Sequence, residues 1–560
     1  MKTLLKILFK NHWKKISLIF IFAFINVQSQ LYVIELVPLV MAYIKAGDYT
    51  DTFVIMYDFY FAIAASIISI LLISYLSASV SSNFAHNLKN KLFSIVMNIN
   101  TVDEYSKINF SGLMTRLIRG VDTEQSFVLI LLRRVSLLIV AAIWVVYSLM
   151  DLNVIYASLF FIFLLVYSFF LVRKLNQAAN DYFKVKKFNG KLNNLFRDKI
   201  VGLKTIKLFS KEEYSSKIFK KAADDAYNEG YKFQSSLNFP QVFIVILHIV
   251  VILFILWGLF IFEADKNLAV EVFLALLYIV YLINHINAIN PLVNIYPLAY
   301  TSSIRIEEVL ALEHEPKHSP NKESDFKGIE FNNVSLNISD REILSDVSFK
   351  IPQNSKNLIV GPVGAGKTSL IYSLTGFYEI NSGSILINGE NIKSKAFNEK
   401  ISFTSAHLFP LKASVFENIR LGDESITRED AVRACDDALF TKDLSFEVNE
   451  EGNNLSGDFK QRLAIARALA HDCEIYVFDN SFSYIESASK KIIVENIKKR
   501  LSDKILIFID NTFEDYMDMD NIIVMENASI IDQGNHDYLI KNCETYKTLI
   551  NCSGGSNIGK

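Results

Sequence analysis

The stretch LIVGPVGAGKTSLIYSL places Gly361, Gly364 and Gly366 directly before Lys367, Thr368 and Ser369. An apolar strand, a glycine-rich loop and a helix start in that order make the G-x-x-x-x-G-K-[ST] pattern. Its backbone N–H groups can wrap phosphate oxygens, its lysine can reach the outer phosphates, and its Thr368 hydroxyl is of the kind that holds Mg2+. Further on, the apolar run IYVF ends in Asp479, whose carboxylate suits the same metal. The residue that follows is Asn480, where a site that hydrolyses a phosphoanhydride needs a second carboxylate to take a proton from water.

Those residues sit in the last part of a chain whose composition is unlike that of a soluble protein. Of 560 residues 51% are hydrophobic, 43 are Phe and 25 are Tyr, and mean hydropathy is +0.26. Net charge is only -2, which argues against a nucleic-acid partner. Apolar runs long enough to span a bilayer are expected near 16–44, 52–80, 125–149, 153–172, 239–262 and 270–298, six helices in all. The first is too long for a signal-peptide core and is read as retained.

Charge sets the orientation of the six. Lys2, Lys6, Lys10, Lys14 and Lys15 precede the first span and fifteen basic residues fall in 173–238, while the short connections at 45–51, 151–152 and 263–269 hold only Lys45 and Lys266. The asymmetry predicts a multi-pass protein of the cytoplasmic membrane, surrounded by lipid, with both termini and the segments 81–124 and 173–238 in the cytoplasm. Both segments keep helical periodicity, so each is expected to be a long helical hairpin, turning near Ser111–Gln125 and Asn194–Phe209. Residues 1–312 then form a membrane domain, 313–328 a polar linker, 329–552 a soluble domain and 553–560 a tail. Cys435, Cys473, Cys543 and Cys552 show no metal-ligand spacing and read as reduced thiols.

This order of parts resembles an ATP-binding cassette (ABC) half-transporter of the exporter type: a six-helix all-α transmembrane domain followed by an α/β P-loop nucleotide-binding domain. The resemblance covers nearly the whole chain and rests on GPVGAGKTS (Walker A), NLSGDFKQRLAIARAL (the signature and its helix), IYVFD (Walker B) and DQGNHDYLI. VNEEGNNLSG, with Glu450 at its acidic position, resembles the stretch that meets the coupling helices of exporters. The resemblance implies ATP and Mg2+ as ligands, with Gly361, Gly364, Gly366, Lys367, Thr368, Ser369 and Asp479 around them. It also implies a head-to-tail dimer in which Ser456 and Gly457 of one chain meet ATP held by the other.

The same comparison marks departures. The catalytic glutamate position holds Asn480, the switch-histidine position Asp510, the glutamine of the Q-loop Ala406, and the adenine-stacking position Ile338. The signature reads Leu455, Ser456, Gly457, Asp458, Phe459 where the family has LSGGQ. Loss of a general base commonly lowers a rate about a hundred- to ten-thousandfold. A bare carboxylate about 4 Å from a phosphate is repelled by roughly 4 kcal/mol at intermediate dielectric. The expectation is a chain that holds ATP and hydrolyses little or none, with no intact catalytic residue of its own, paired with a second half-transporter and more readily a different one than a copy of itself. An ATP-gated channel or regulator is the alternative, and an importer of exporter fold a weaker one.

On the sixth span, Asn284, Asn287, Asn290 or Pro291, and Asn294 recur at helical spacing. With Asn26, Gln30, Glu35, Asp58, Arg133 and Arg134 they are candidates to line a path for an amphipathic, small-molecule or peptide-like cargo, or else to join helices to one another. No peptidase domain is expected before the first span.

Overall fold

The computed structural model describes residues 2–46, 49–97, 113–152, 154–261, 266–311, 328–338, 341–391, 400–405, 410–510 and 514–552. The chain divides into two compact units, membrane helices and a C-terminal α/β domain.

The first unit is built from helices Lys2–Ala46, Tyr49–Met97, Leu113–Ile130, Ser136–Leu152, Val154–Val201, Leu203–Leu208, Glu212–Ile261, Lys266–Asn287 and Asn290–Leu310. Among the described residues, Thr3–Val40, Phe53–Met97, Leu117–Asp151, Phe160–Val201 and Phe273–Leu310 are long and apolar enough to cross a membrane. The fifth expected span, 239–262, falls almost wholly in the helix Glu212–Ile261. Several helices run 45 to 50 residues, about 70 Å and more than twice a hydrocarbon core of about 30 Å. Their excess length therefore lies outside the lipid.

Three expectations about this unit need correction. The turn sought within Ser111–Gln125 is not in its described part, because Leu113–Ile130 is continuous helix. Gly120, within that helix, is a place of close helix approach: a Cβ there would lie 3.5 Å from that of Ser302. The second turn falls in the later part of Asn194–Phe209 and needs only extension, since the helix runs to Val201, a short helix Leu203–Leu208 follows, and the reversal is completed over Phe209–Lys211, with Ser210 at φ +49°. Residues placed in the connections 45–51, 151–152 and 263–269 are largely helical where described, because helix ends extend beyond the apolar windows.

Polar residues inside the spans divide into two groups. Asn26 is 1% exposed and its amide donates to Ser66 O (2.8 Å) and Ser69 Oγ (3.0 Å), while Gln30 donates to Ser66 Oγ (3.1 Å), so both join the first two helices. Glu35 accepts from Tyr278 Oη at 2.9 Å, a bond between the first and last spans. Asn284, Asn287, Pro291 and Asn294 are exposed on one face. The helix is interrupted at Ala288–Ile289, as expected where Pro291 has no N–H to give the Asn287 carbonyl.

The second unit has strands β1 (Gly328–Ile338), β2 (Arg341–Pro352), β3 (Lys356–Val360), β4 (Ser382–Ile387), β5 (Glu390–Asn391), β6 (Ile401–Ser405), β7 (Ile475–Asp479), β8 (Ile505–Ile509), β9 (Asn521–Glu526) and β10 (Ser529–Gly534). They form an antiparallel sheet, β2-β1-β4-β5, and a larger one, β10-β9-β3-β8-β7-β6, parallel except at β10. Alternation assigns the faces of the larger sheet. Leu358, Val360, Tyr476, Phe478, Leu506 and Phe508 enter one core with the helices Gly457–Ala470 and Ser487–Arg500. Ile359, Ile475, Val477, Ile505, Ile507 and Ile509 enter the other, against the antiparallel sheet. β7 and β8 are buried throughout, which explains why both read as unbroken apolar runs.

Candidate functional site

Register brings the chemistry together. Ile359 pairs with Ile509 and Ile509 with Asp479, so β3, β8 and β7 end side by side. The residues that leave those ends are Gly361, Asp510 and Asn480, and ligands of open parallel sheets bind in this position. A Cβ on Gly361 would fall 2.1 Å from Met525 O, and Gly366 caps the next helix at φ +97°, so neither position accepts a side chain.

The helix Lys367–Leu374 begins at the loop. Lys367 Nζ donates back to Gly361 O (2.6 Å) and Pro362 O (2.9 Å), tying the loop into a ring. The side chain is 9% exposed, and burial holds its pKa below the usual lysine value although Asp479 acts in the opposite sense. Thr368 Oγ1 donates to Asp479 Oδ2 at 2.8 Å, and Asp479 is 4% exposed. A hydroxyl and a carboxylate in contact beside a glycine loop are hard oxygen donors that fit Mg2+ shared with a phosphate ligand.

The opposite side of the pocket is self-satisfied. Asn480, at φ +48°, donates its amide to Asp479 Oδ1 (3.1 Å) and its backbone N–H to Ile509 O (2.9 Å). Asp510 Oδ2 accepts from Lys490 Nζ (2.8 Å) and Tyr516 Oη (3.1 Å), and Asp515 lies 3.6 Å from the same amine. Lys490 is 6% exposed and its amine also stands 4.9 Å from the Tyr516 ring centroid. Burial, then the Asp510 carboxylate, raises the Tyr516 phenol well above its usual range, so it remains a donor. The bare carboxylate assumed for the repulsion above is thus a paired one, its lysine shared with Asp515.

The signature departure is paired in the same way. Asp458 accepts Arg462 Nε through both oxygens (2.8 and 3.0 Å), and Arg462 Nη1 holds Leu439 O (2.9 Å). Ser456 caps the helix Gly457–Ala470, its Oγ accepting from Phe459 N. Gly457 lies under the Tyr484 ring, where a Cβ would come within 3.2 Å of Cγ. No hydrogen bond among the described residues joins Ser456 or Gly457 to the phosphate loop of the same chain.

Ile338 ends β1, partly buried against the core between the sheets. Ala406 lies outside the described residues, as do most of the linker 313–328 and the tail 553–560. Lys490, Tyr516 and Arg462 escaped the sequence reading. Arg462 had a usable signal, an acid–base pair at i, i+4; the other two had none, because they converge on Asp510 from separate elements.

Residues 344–483 match the family described as ABC transporter, and residues 16–286 match the ABC transporter transmembrane region. The chain belongs to the ABC transporters: it is a multi-pass membrane protein with an ATP-binding domain. It is 27% identical to the putative ABC transporter ATP-binding protein MG014 of Mycoplasma genitalium over 85% of this chain and 81% of that one. It is also 27% identical to the transport/processing ATP-binding protein ComA of Streptococcus pneumoniae, over 62% of this chain, and spans about half the length of that relative. A 31% match to an ATP-dependent lipid A-core flippase of Idiomarina loihiensis covers 38% of each chain. The structure of a bacterial Atm1-family ABC exporter with ATP bound shares the fold, with a TM-score of 0.82 at 19% identity over 97% of this chain and 98% of that one.

Proposed function

We propose that this chain is the ATP-holding, catalytically degenerate half of an ABC exporter that pairs with a different half-transporter carrying the catalytic residues. The observation that carries the reading is Asn480, whose amide is given to Asp479 while the adjacent strand end presents only a carboxylate already bound by Lys490 and Tyr516. An amide accepts no proton from water, and a paired Asp510 offers no donor to a γ-phosphate.

In this reading the loop N–H groups and Lys367 bind the phosphates, Ile338 lies under the adenine, and Thr368 with Asp479 holds Mg2+, which when bound offsets phosphate charge. Ser456 and Gly457 close the partner's site. Both termini are cytoplasmic, in keeping with the distribution of Lys and Arg. Tightening of the dimer on ATP biases the membrane helices between two states. The exposed Asn284, Asn287 and Asn294, with Glu35 nearby in the same unit, support a polar-lined route for an amphipathic or peptide-like cargo. Names given to relatives, a transport/processing protein and a lipid flippase, accord with that class.

The test is to purify the chain alone and with whatever half-transporter accompanies it from its native membrane, and to measure bound nucleotide and ATPase activity. The chain alone should retain ATP with turnover near background, and the complex should hydrolyse. Asn480→Glu should raise turnover at this site about tenfold, below the usual span for a general base, because Asp510 and Ala406 remain. Rapid hydrolysis by the unaltered chain alone refutes the reading.

A further inference from the structure

Two arginines lie deep within the span Leu117–Asp151 and are used by nothing described so far. Arg133 and Arg134 occupy a π-helical turn, Leu131–Val135, set between the helices Leu113–Ile130 and Ser136–Leu152. Counted from Gln125, they lie about 12 Å along the helix, near the middle of a hydrocarbon core of about 30 Å. Arginine at that depth is expensive and normally meets a partner. Here neither guanidinium forms an ion pair or hydrogen bond with a described residue, and Arg133 Nε is buried with no acceptor at all.

Position on the helix excludes a simple escape to lipid. The exposed stripe of this span is Ile139, Ile143, Tyr147 and Met150. Arg133 stands four, eight and twelve residues before Leu137, Ala141 and Val145, which are buried, and both arginines are half-buried. Among the described residues no acidic group pairs with either arginine: Glu35 accepts from Tyr278, Asp58 from Tyr32, and Glu124 precedes Arg133 by nine residues. His285, on the last span, is within electrostatic reach of Arg134 and brings no negative charge. Two adjacent cations without a counter-charge among the described residues, on a π-turn of the kind that recurs at functional sites, ask for an anion.

We propose that Arg133 and Arg134 bind the phosphate group of an anionic amphiphile whose apolar body lies along the membrane helices. Phosphate geometry suits two adjacent guanidinium forks. The surroundings, Leu131, Leu132 and Val135 together with the exposed Ile139 and Ile143, favour a ligand with an acyl portion over a free ion. This deepens the transporter reading and rests on it for the assignment of the ligand as cargo, but its test needs no nucleotide.

The full-length chain is placed in nanodiscs of phosphatidylcholine containing phosphatidylglycerol of the same acyl chains, and retained lipids are counted by native mass spectrometry. The unaltered chain should retain phosphatidylglycerol at least tenfold over phosphatidylcholine, and millimolar inorganic phosphate should not displace it. Arg133→Gln/Arg134→Gln should abolish the preference, and Arg133→Lys/Arg134→Lys should keep part of it. If the double glutamine variant does not fold, the single variants are measured: loss of preference in either supports the site, and an unchanged preference in both overturns it. No preference in the unaltered chain, the same preference in the double glutamine variant, or displacement by inorganic phosphate alone overturns it. Since nucleotide retention is measured separately, failure here leaves the ATP-holding reading standing, and the reverse.

Discussion

The two sides of the nucleotide pocket are built on adjacent strand ends yet have different fates. On one side Lys367, Thr368 and Asp479 keep a loop, a hydroxyl and a carboxylate arranged for phosphate and metal. On the other, Asn480 and Asp510 are absorbed into local hydrogen bonds. In the function proposed above, the difference teaches that holding a ligand and breaking it are separable demands on one fold. It also shows that an acidic residue beside the pocket can arrive with a cation, Lys490 for Asp510 and Arg462 for Asp458.

The largest expected effect is on the phosphate side. Lys367→Ala should weaken ATP binding by at least about a hundredfold, roughly 2.7 kcal/mol, as read by a fluorescent ATP analogue. If affinity survives, the contrast between the two sides fails. In ATP affinity Lys490→Met should come next, although its cost in stability is the greater, because it leaves Asp510 buried without its cation, a change of about 3 to 5 kcal/mol when one member of a buried pair is removed. The domain should unfold at lower denaturant, and ATP affinity should fall about tenfold at intermediate dielectric. Adding Asp510→Asn should restore both, and a failure to restore affinity separates mere unfolding from unmasked charge.

How much of this pocket was legible in advance follows from distance along the chain. The glycine loop, Lys367 and Thr368 are contiguous and carry their own spacing, and Asp479 closes an unmistakable apolar strand. The partners of Asp510 were not legible, since Lys490 and Tyr516 reach it from a helix and from beyond the next loop. In the membrane unit, spans were visible as apolar windows. What Asn26 does was not, because its partners Ser66 and Ser69 are on another helix.

Two smaller effects sharpen the contrast. Burial holds the Lys367 pKa below that of a free lysine, so the lysine loses its proton at a lower pH than a free lysine does. ATP affinity should therefore decline several-fold as pH rises, ahead of the titration of a free lysine, whereas Lys367→Ala should give a flat profile. Smallest of all, Arg462→Gln frees Asp458 in a partly exposed helix pair worth about 0.5 kcal/mol. ATPase of the complex should fall two- to threefold through the partner's site, with nucleotide retention at this chain's own loop unchanged.

The π-turn at Leu131–Val135 has a consequence for what lengths of sequence the third span tolerates. One residue more than an α-helical turn is taken up there, and each residue of an α-helix turns its successors by about 100°. Deleting a single residue from this turn would let the helix run on as a regular α-helix with the faces after it still in register. Leu137, Ala141 and Val145 would stay interior. The span is therefore open to a one-residue deletion at this turn and closed to one in the regular helix that follows, where the residues beyond the deletion would rotate by about 100°.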